Sequence, residues 1–305
     1  MCIKNFLFIP IVTLPIITKL NSFLLKFQIE SLVETETIIW VTYPSHFIPN
    51  ILKGMKYSAL VYEMMDDYPN IHSESKEQIS RIEAWFVDNA SLVIATSEAL
   101  AEKAKRMKRG VKVRLIGNGV DYDFFNHTPK VRPPEFKGMK GIVGYVGTVD
   151  KWIDFDLVDF LAKNRPDLDF FFVGPIRIKR ISLRENIHYV GPIDYERVPT
   201  YCEAFDVCLI PFLPGEFADT INPVKLYEYL ALGKPVVSYH MKELERYKDI
   251  IYLSVAKEDF LKNVETALNE NDSGIREVRK DIARANDWNM ISEIVHEKLL
   301  KLSAP

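Results

Sequence analysis

The chain has little cysteine and no pattern in what it has. Cys2, Cys202 and Cys208 form an odd set at no metal-ligand spacing, which excludes a disulfide framework and points to reduced thiols in a cytosolic compartment. The six histidines, at 46, 72, 127, 188, 240 and 296, do not cluster with them, so no zinc site is expected. Glycine and proline, 13 and 17 residues, are too scarce for a fibrous or disordered chain. Neither sign of charge dominates: 39 Lys+Arg against 42 Asp+Glu leave a net charge of −3, and no nucleic-acid partner is implied. No apolar run reaches the roughly 20 residues that span a bilayer. The uncharged stretch 5–18 is broken by Pro10 and Pro15 and lacks a small-x-small cleavage site. It suits a buried segment or one lying on a bilayer surface. A G-x-G-x-x-G turn with an acidic residue about 20 positions on is also missing, which speaks against a dinucleotide oxidoreductase.

What is present is a soluble, core-forming composition, 48% apolar and 27% charged, in 305 residues. At about 150 residues per domain that length suggests two domains. Short β-branched runs alternate with helical periodicity. Strands are expected at 38–42, 57–64, 92–95 and 111–116, with helices at 20–34, 73–89 and 97–108, the last capped by Ser97. Residues 126–140 are polar, proline-rich and without period, and read as a linker. The alternation then restarts, with strands at 141–147, 168–173, 186–190, 207–211 and 235–239 and helices between and after them. The expectation is α/β: two Rossmann-like doubly wound domains facing a cleft, the first of them short. Its boundaries are 1–134 for the first domain and linker, 135–285 for the second, and 286–305 for a C-terminal helix packing back toward the first.

The most informative stretch is Asn222-Pro-Val-Lys-Leu-Tyr-Glu-Tyr-Leu-Ala-Leu-Gly-Lys-Pro-Val-Val237. Pro223 suits the first turn of a helix, whose N-terminus carries unpaired N–H groups and the positive dipole end. Lys225 in that turn is locally unfavourable unless an anion answers it. Glu228 lies at i+3 on the same face. A lysine for phosphate and a carboxylate for ribose hydroxyls would suit a nucleotide, and a surface Lys–Glu pair would fit the same spacing.

This segment resembles the donor-domain signature of GT-B type glycosyltransferases of the large group that includes family 4. The likeness is strongest to the branch serving teichuronic acid and other surface-polysaccharide synthesis. Asn118-Gly-Val-Asp121, Gly144-Tyr-Val-Gly-Thr-Val-Asp150, Asn186-Ile-His-Tyr-Val-Gly191 and Ala204-Phe-Asp-Val-Cys-Leu-Ile-Pro211 follow the family's order. The resemblance implies a glycosyltransferase, hexosyltransferase-like, moving a sugar from a nucleotide-diphosphate donor to a saccharide or lipid-linked acceptor. It implies donor contacts at Gly147, Thr148, Arg177, Asn222, Lys225 and Glu228, with Lys225 on the diphosphate and Glu228 on the ribose. No cofactor beyond the nucleotide sugar and no metal are expected, because no loop Asp-x-Asp is present. Asp154-Phe-Asp156 has that spacing but opens a helix. The implied setting is cytoplasmic, with peripheral contact at the inner face of the membrane.

Three departures qualify the likeness. The position eight before Glu228, often a glutamate in the family, is Thr220 beside Asp219. The loop 148–154 lacks the family's Arg and Lys, leaving phosphate charge to Lys225 and to Arg177, Lys179 or Arg180. No glycine-rich turn precedes Trp40, so the first βαβ of the N-terminal domain is expected to be missing. Asp66 and Asp67 end the strand 57–64, where relatives often place a His-Asp pair, and are assigned as catalytic, Asp66 as the base. Turn chemistry would also account for them. The basic run from Lys103 to Arg114 reads as a solvated helix face or a lipid-headgroup contact. Alternative functions are a non-catalytic nucleotide-sugar-binding partner of a glycosyltransferase complex and a sugar-nucleotide epimerase on the same fold.

Overall fold

The computed structural model describes residues 15–71, 75–127, 131–139, 141–178 and 184–303. Residues 5–14 of the apolar stretch, and Lys179 and Arg180, lie outside the described residues. The chain divides into two units, residues 1–117 with 294–305, and residues 118–293.

The first unit runs α1 (Pro15–Glu30), β1 (Ile38–Val41), α2 (Ile48–Leu52), β2 (Ala59–Met64), α3 (Tyr68–Ile71), α4 (Lys76–Asn89), β3 (Leu92–Ala95), α5 (Glu98–Met107) and β4 (Val113–Leu115). Its four strands are parallel and lie in sequence order, β1-β2-β3-β4. β2 and β3 are apolar and buried almost throughout, as strands covered on both faces must be. One face packs Leu60, Tyr62, Met64, Val93 and Ala95 against Leu52, Phe86, Val87, Leu100 and Ala104. The other face, Val61, Leu92 and Ile94, meets Leu299 and Leu302. Ser97 caps α5, its hydroxyl accepting the Leu100 N–H at 3.2 Å.

The second unit runs α6 (Tyr122–Asn126), β5 (Ile142–Val146), α7 (Phe155–Asn164), β6 (Asp169–Val173), β7 (Ile187–Gly191), α8 (Val198–Ala204), β8 (Val207–Ile210), α9 (Val224–Ala231), β9 (Val236–Tyr239), β10 (Tyr252–Ser254), α10 (Lys257–Leu268), α11 (Ser273–Ala285) and α12 (Trp288–Ser303), which leads back to the first unit. Its parallel sheet has the order β10-β9-β8-β5-β6-β7. That is the doubly wound order of a dinucleotide-binding domain, with the reversal between β5 and β8. Cys202 and Cys208 are free thiols buried in this core, which accounts for their raised pKa values.

The domain boundary expected at residue 134 is corrected to Gly117. Val120, Tyr122, Phe125 and Phe136 all belong to the second core. Phe136, in a 3₁₀ turn Pro134–Phe136, is fully buried, with ring centroids of Phe171 at 4.3 Å and Tyr201 at 5.5 Å. Burying such a ring contributes roughly 1.5–3 kcal/mol, which anchors the chain at Phe136. Asp154 caps α7 through the Leu157 N–H at 2.9 Å and accepts the Tyr239 hydroxyl at 3.2 Å. Among the described residues no group of three or more His, Cys, Asp or Glu is placed to hold a metal ion, and no helix is long and apolar enough to cross a membrane.

Candidate functional site

In a doubly wound sheet the connections leave the two strands at the reversal toward opposite faces, opening a crevice at their carboxyl ends. Here that point lies after β5 and β8, and the loop after β5 begins at Gly147. Gly147 has φ +142°, a conformation L side chains rarely adopt, and donates its N–H to Val173 O at 2.8 Å. A Cβ on Gly147 would overlap the Lys225 side chain. Gly174, φ +139°, follows β6, and a Cβ there would overlap the Gly147 carbonyl. The loops after β5 and β6 are therefore in backbone contact. Val149 N–H donates to Pro175 O at 2.8 Å and Arg177 N–H to Val149 O at 2.9 Å. Thr148 is held through its carbonyl, which accepts the Tyr145 hydroxyl at 3.0 Å.

Lys225 sits in the first turn of α9, half-buried, its Nζ 5.4 Å from the centroid of the Tyr145 ring. Among the described residues it makes no ion pair, and no side chain caps the helix start beneath it. Glu228 is one turn further on and buried, with no hydrogen-bond partner among the described residues. Burial pushes its carboxyl pKa up, and the charge of Lys225 partly offsets that. Among the described residues, α9 thus carries on one face a cation without an ion pair and a buried carboxylate without a hydrogen bond, groups whose chemistry suits an anion and hydroxyl donors respectively.

The structure brings Gly147, Thr148, Lys225 and Glu228 together. Arg177 is exposed, its backbone joined to the same loop through Val149. Asn222 is placed differently. Its Oδ1 accepts the Asn118 N–H at 3.0 Å, its carbonyl accepts Asn118 Nδ2 at 2.6 Å, and its Nδ2 donates to the Tyr227 hydroxyl at 3.2 Å and Glu243 at 3.3 Å. Its amide thus ties the Asn118 loop to the start of α9. Thr220 donates to Phe217 O at 2.7 Å, and Asp219 accepts the Lys242 N–H at 2.9 Å, so both are spent on loop structure.

Sequence reasoning missed Tyr195. Burial and the Glu228 charge push its phenol up to about 12, and its ring stacks on Phe124 at 5.4 Å. The available signal was an aromatic residue soon after β7, at the carboxyl end of a parallel strand.

In the first unit, burial and then the charge of Asp67 push the Asp66 carboxyl up to about 6. Asp66 has no hydrogen-bond or ion-pair partner among the described residues. Asp67 is buried and engaged: Lys103 Nζ is 2.7 Å from its Oδ1, Asn70 Nδ2 donates to its Oδ2, and its carbonyl accepts the N–H groups of Asn70 and Ile71. Lys103 also pairs with Glu83 at 2.5 Å, so the basic run does not form one solvated face.

Residues 140–270 match the family described as glycosyl transferases group 1. The chain is 27% identical over 276 residues to TuaH of Bacillus subtilis (strain 168), named for glycosyl transfer in teichuronic acid biosynthesis, covering 83% of this chain and 69% of that protein. A sucrose-phosphate synthase from Thermosynechococcus elongatus superposes with a TM-score of 0.75 at 16% identity, covering 97% of this chain and 80% of the other. HepE of Anabaena, solved with UDP and glucose, gives 0.74 at 18%, covering 91% and 81%. These structures share the fold, two parallel-sheet α/β domains of GT-B type. Through residues 140–270 and the sequence relative, the chain is thus similar to the group 1 glycosyltransferases.

Proposed function

We propose that the second unit binds a nucleoside diphosphate sugar with Lys225 on the diphosphate and Glu228 on the ribose hydroxyls. Transfer then goes to a hydroxyl of a saccharide or lipid-linked acceptor in surface polysaccharide or glycoconjugate synthesis. The observation that carries this is that, among the described residues, Lys225 makes no ion pair and the buried Glu228 no hydrogen bond on α9, beside the tight turn at Gly147. Lys225 and the N-terminus of α9 stabilise the departing diphosphate without a metal ion. Asp66, with a pKa of about 6, takes the proton of the acceptor hydroxyl. Relatedness to TuaH supports the polysaccharide setting.

A cytoplasmic location at the inner membrane face goes with that reading. α1 exposes Leu20, Phe23 and Phe27 at helical spacing, 46%, 68% and 76% exposed, with Lys19 and Lys26 beside them. An apolar stripe flanked by cations suits an anionic bilayer surface.

The test is calorimetric titration of the full chain with UDP as probe. Lys225→Ala and Glu228→Ala should each weaken binding by about 1.5–3 kcal/mol. Unchanged affinity in both would remove the assignment.

A further inference from the structure

The first unit holds a charge cluster that the donor site does not use. Resting on the reading of Asp66 as the base, we propose that Glu83 and Lys103 are positioning residues for it: Lys103, itself held by Glu83, ties down Asp67, so that one carboxylate of the adjacent pair is neutralised and the other is left to act.

One ammonium lies between two buried carboxylates. Lys103 Nζ is 2.7 Å from Asp67 Oδ1 and 2.5 Å from Glu83 Oε2, and the Lys103, Asp67 and Glu83 side chains are 23%, 8% and 1% exposed. Stability does not explain the arrangement. Burying an ion pair typically gains nothing over apolar packing, and here two negative charges share one positive. Glu83 Oε1 and the Tyr62 hydroxyl are also buried without hydrogen-bond partners, a further cost.

The geometry does explain what the cluster does to Asp66. Lys103 takes one oxygen of Asp67, Asn70 takes the other, and the Asp67 carbonyl caps α3. Thr96 fixes the strand end by donating to Met65 O at 2.8 Å. The backbone around Asp66 is thus pinned from α5, α3 and β3, and its own carboxylate carries none of these bonds. The ionisable groups packed around the pair are Tyr62 and Glu63 of β2, Tyr43 after β1, Tyr68 of α3, Glu83 of α4 and Lys103 of α5. Glu63 is occupied by Trp40 Nε1 at 2.8 Å and Tyr68 by Thr42 O at 3.0 Å. Lys103 is the cation of the set among the described residues.

Signs follow from that count. Removing the Glu83 charge leaves Lys103 to answer the aspartates alone, so Asp66 should ionise at lower pH. Removing Lys103 leaves Asp67 and Glu83 unanswered, so Asp66 should ionise at higher pH.

Carbon-detected NMR titration of the Asp66 carboxyl in the full chain reads this directly, with the signal assigned by its loss in Asp66→Asn. The midpoint should lie near 6 in the wild type. It should fall in Glu83→Gln and rise in Lys103→Met. Lys103→Arg, which keeps the charge, should restore the wild-type value, and gives a second measure if Glu83→Gln does not fold. A purely structural role would lower the melting temperature and leave the midpoint in place. An unmoved midpoint, or variants moving it in the same direction, would overturn the proposal. The titration needs no substrate, so it is separable from catalysis: wild-type turnover in Asp66→Asn would remove the base assignment and leave the linkage standing.

Discussion

Lys225 fills the space that a side chain at Gly147 would need, so the cation of α9 and the turn after β5 are placed by one contact. Gly147→Ala must therefore strain a backbone held at φ +142° and displace the lysine together. The expected cost is about 1–3 kcal/mol in stability, with UDP affinity lost alongside. Thermal unfolding and calorimetry measure the two effects, and a variant with wild-type values in both would show that the contact constrains nothing.

The pH dependence of transfer tests Asp66. With its pKa at about 6 the base is ionised only above that pH, so kcat/KM should rise through a midpoint near 6. Asp66→Asn should slow transfer by about 10²–10⁴-fold and abolish that limb. The same group affects folding with the opposite sign. A carboxyl whose folded pKa is raised contributes stability below its unfolded value, and loses it as pH rises through the folded value. Asp66→Asn should flatten the fall in stability between about pH 4 and 6, read from denaturant midpoints. An intact acid limb in the variant would remove Asp66 from the reaction.

Metal independence has a direct check. Transfer assayed in excess chelator should match the untreated rate. Activity that vanishes in chelator and returns with magnesium or manganese would require a carboxylate-held ion in place of Lys225 as the main partner of the diphosphate.

The α1 stripe makes a prediction for lipid. Phe23→Asp with Phe27→Asp should sharply reduce co-sedimentation with phosphatidylglycerol vesicles while leaving UDP binding unchanged, since both rings are largely exposed and α1 lies outside the second unit. Equal sedimentation of wild type and variant would remove the bilayer contact.

The strands were legible because burial on both faces forces continuous apolar runs, as in Ile142–Val146 and Val207–Ile210. β10 was missed because three residues at a sheet edge carry no period. The boundary error has a similar cause. Val120, Tyr122, Phe125 and Phe136 are scattered through a polar stretch, and nothing local shows that they enter the second core. That Lys225 and Glu228 share one face of α9 was legible from their i+3 spacing. The Asn118–Asn222 link was not, because it joins positions 104 apart in sequence. Nor could spacing tell that Lys103 turns inward while its basic neighbours do not; that depends on Glu83 and Asp67 arriving from other elements.

The packing of Leu299 and Leu302 on Val61, Leu92 and Ile94 bears on the order in which the molecule is finished. A ribosome delivers the first unit's four strands first, yet Leu299 and Leu302, which pack on one face of that sheet, emerge only after the second unit. Through the synthesis of residues 118–293, Val61, Leu92 and Ile94 lack the cover of Leu299 and Leu302, while the second unit has all of its own core before the last helix is complete. Domains tend to fold as units during synthesis, N-terminal first. Here the packing of the first unit is completed only once Leu299 and Leu302 have been made, after the whole of the second unit.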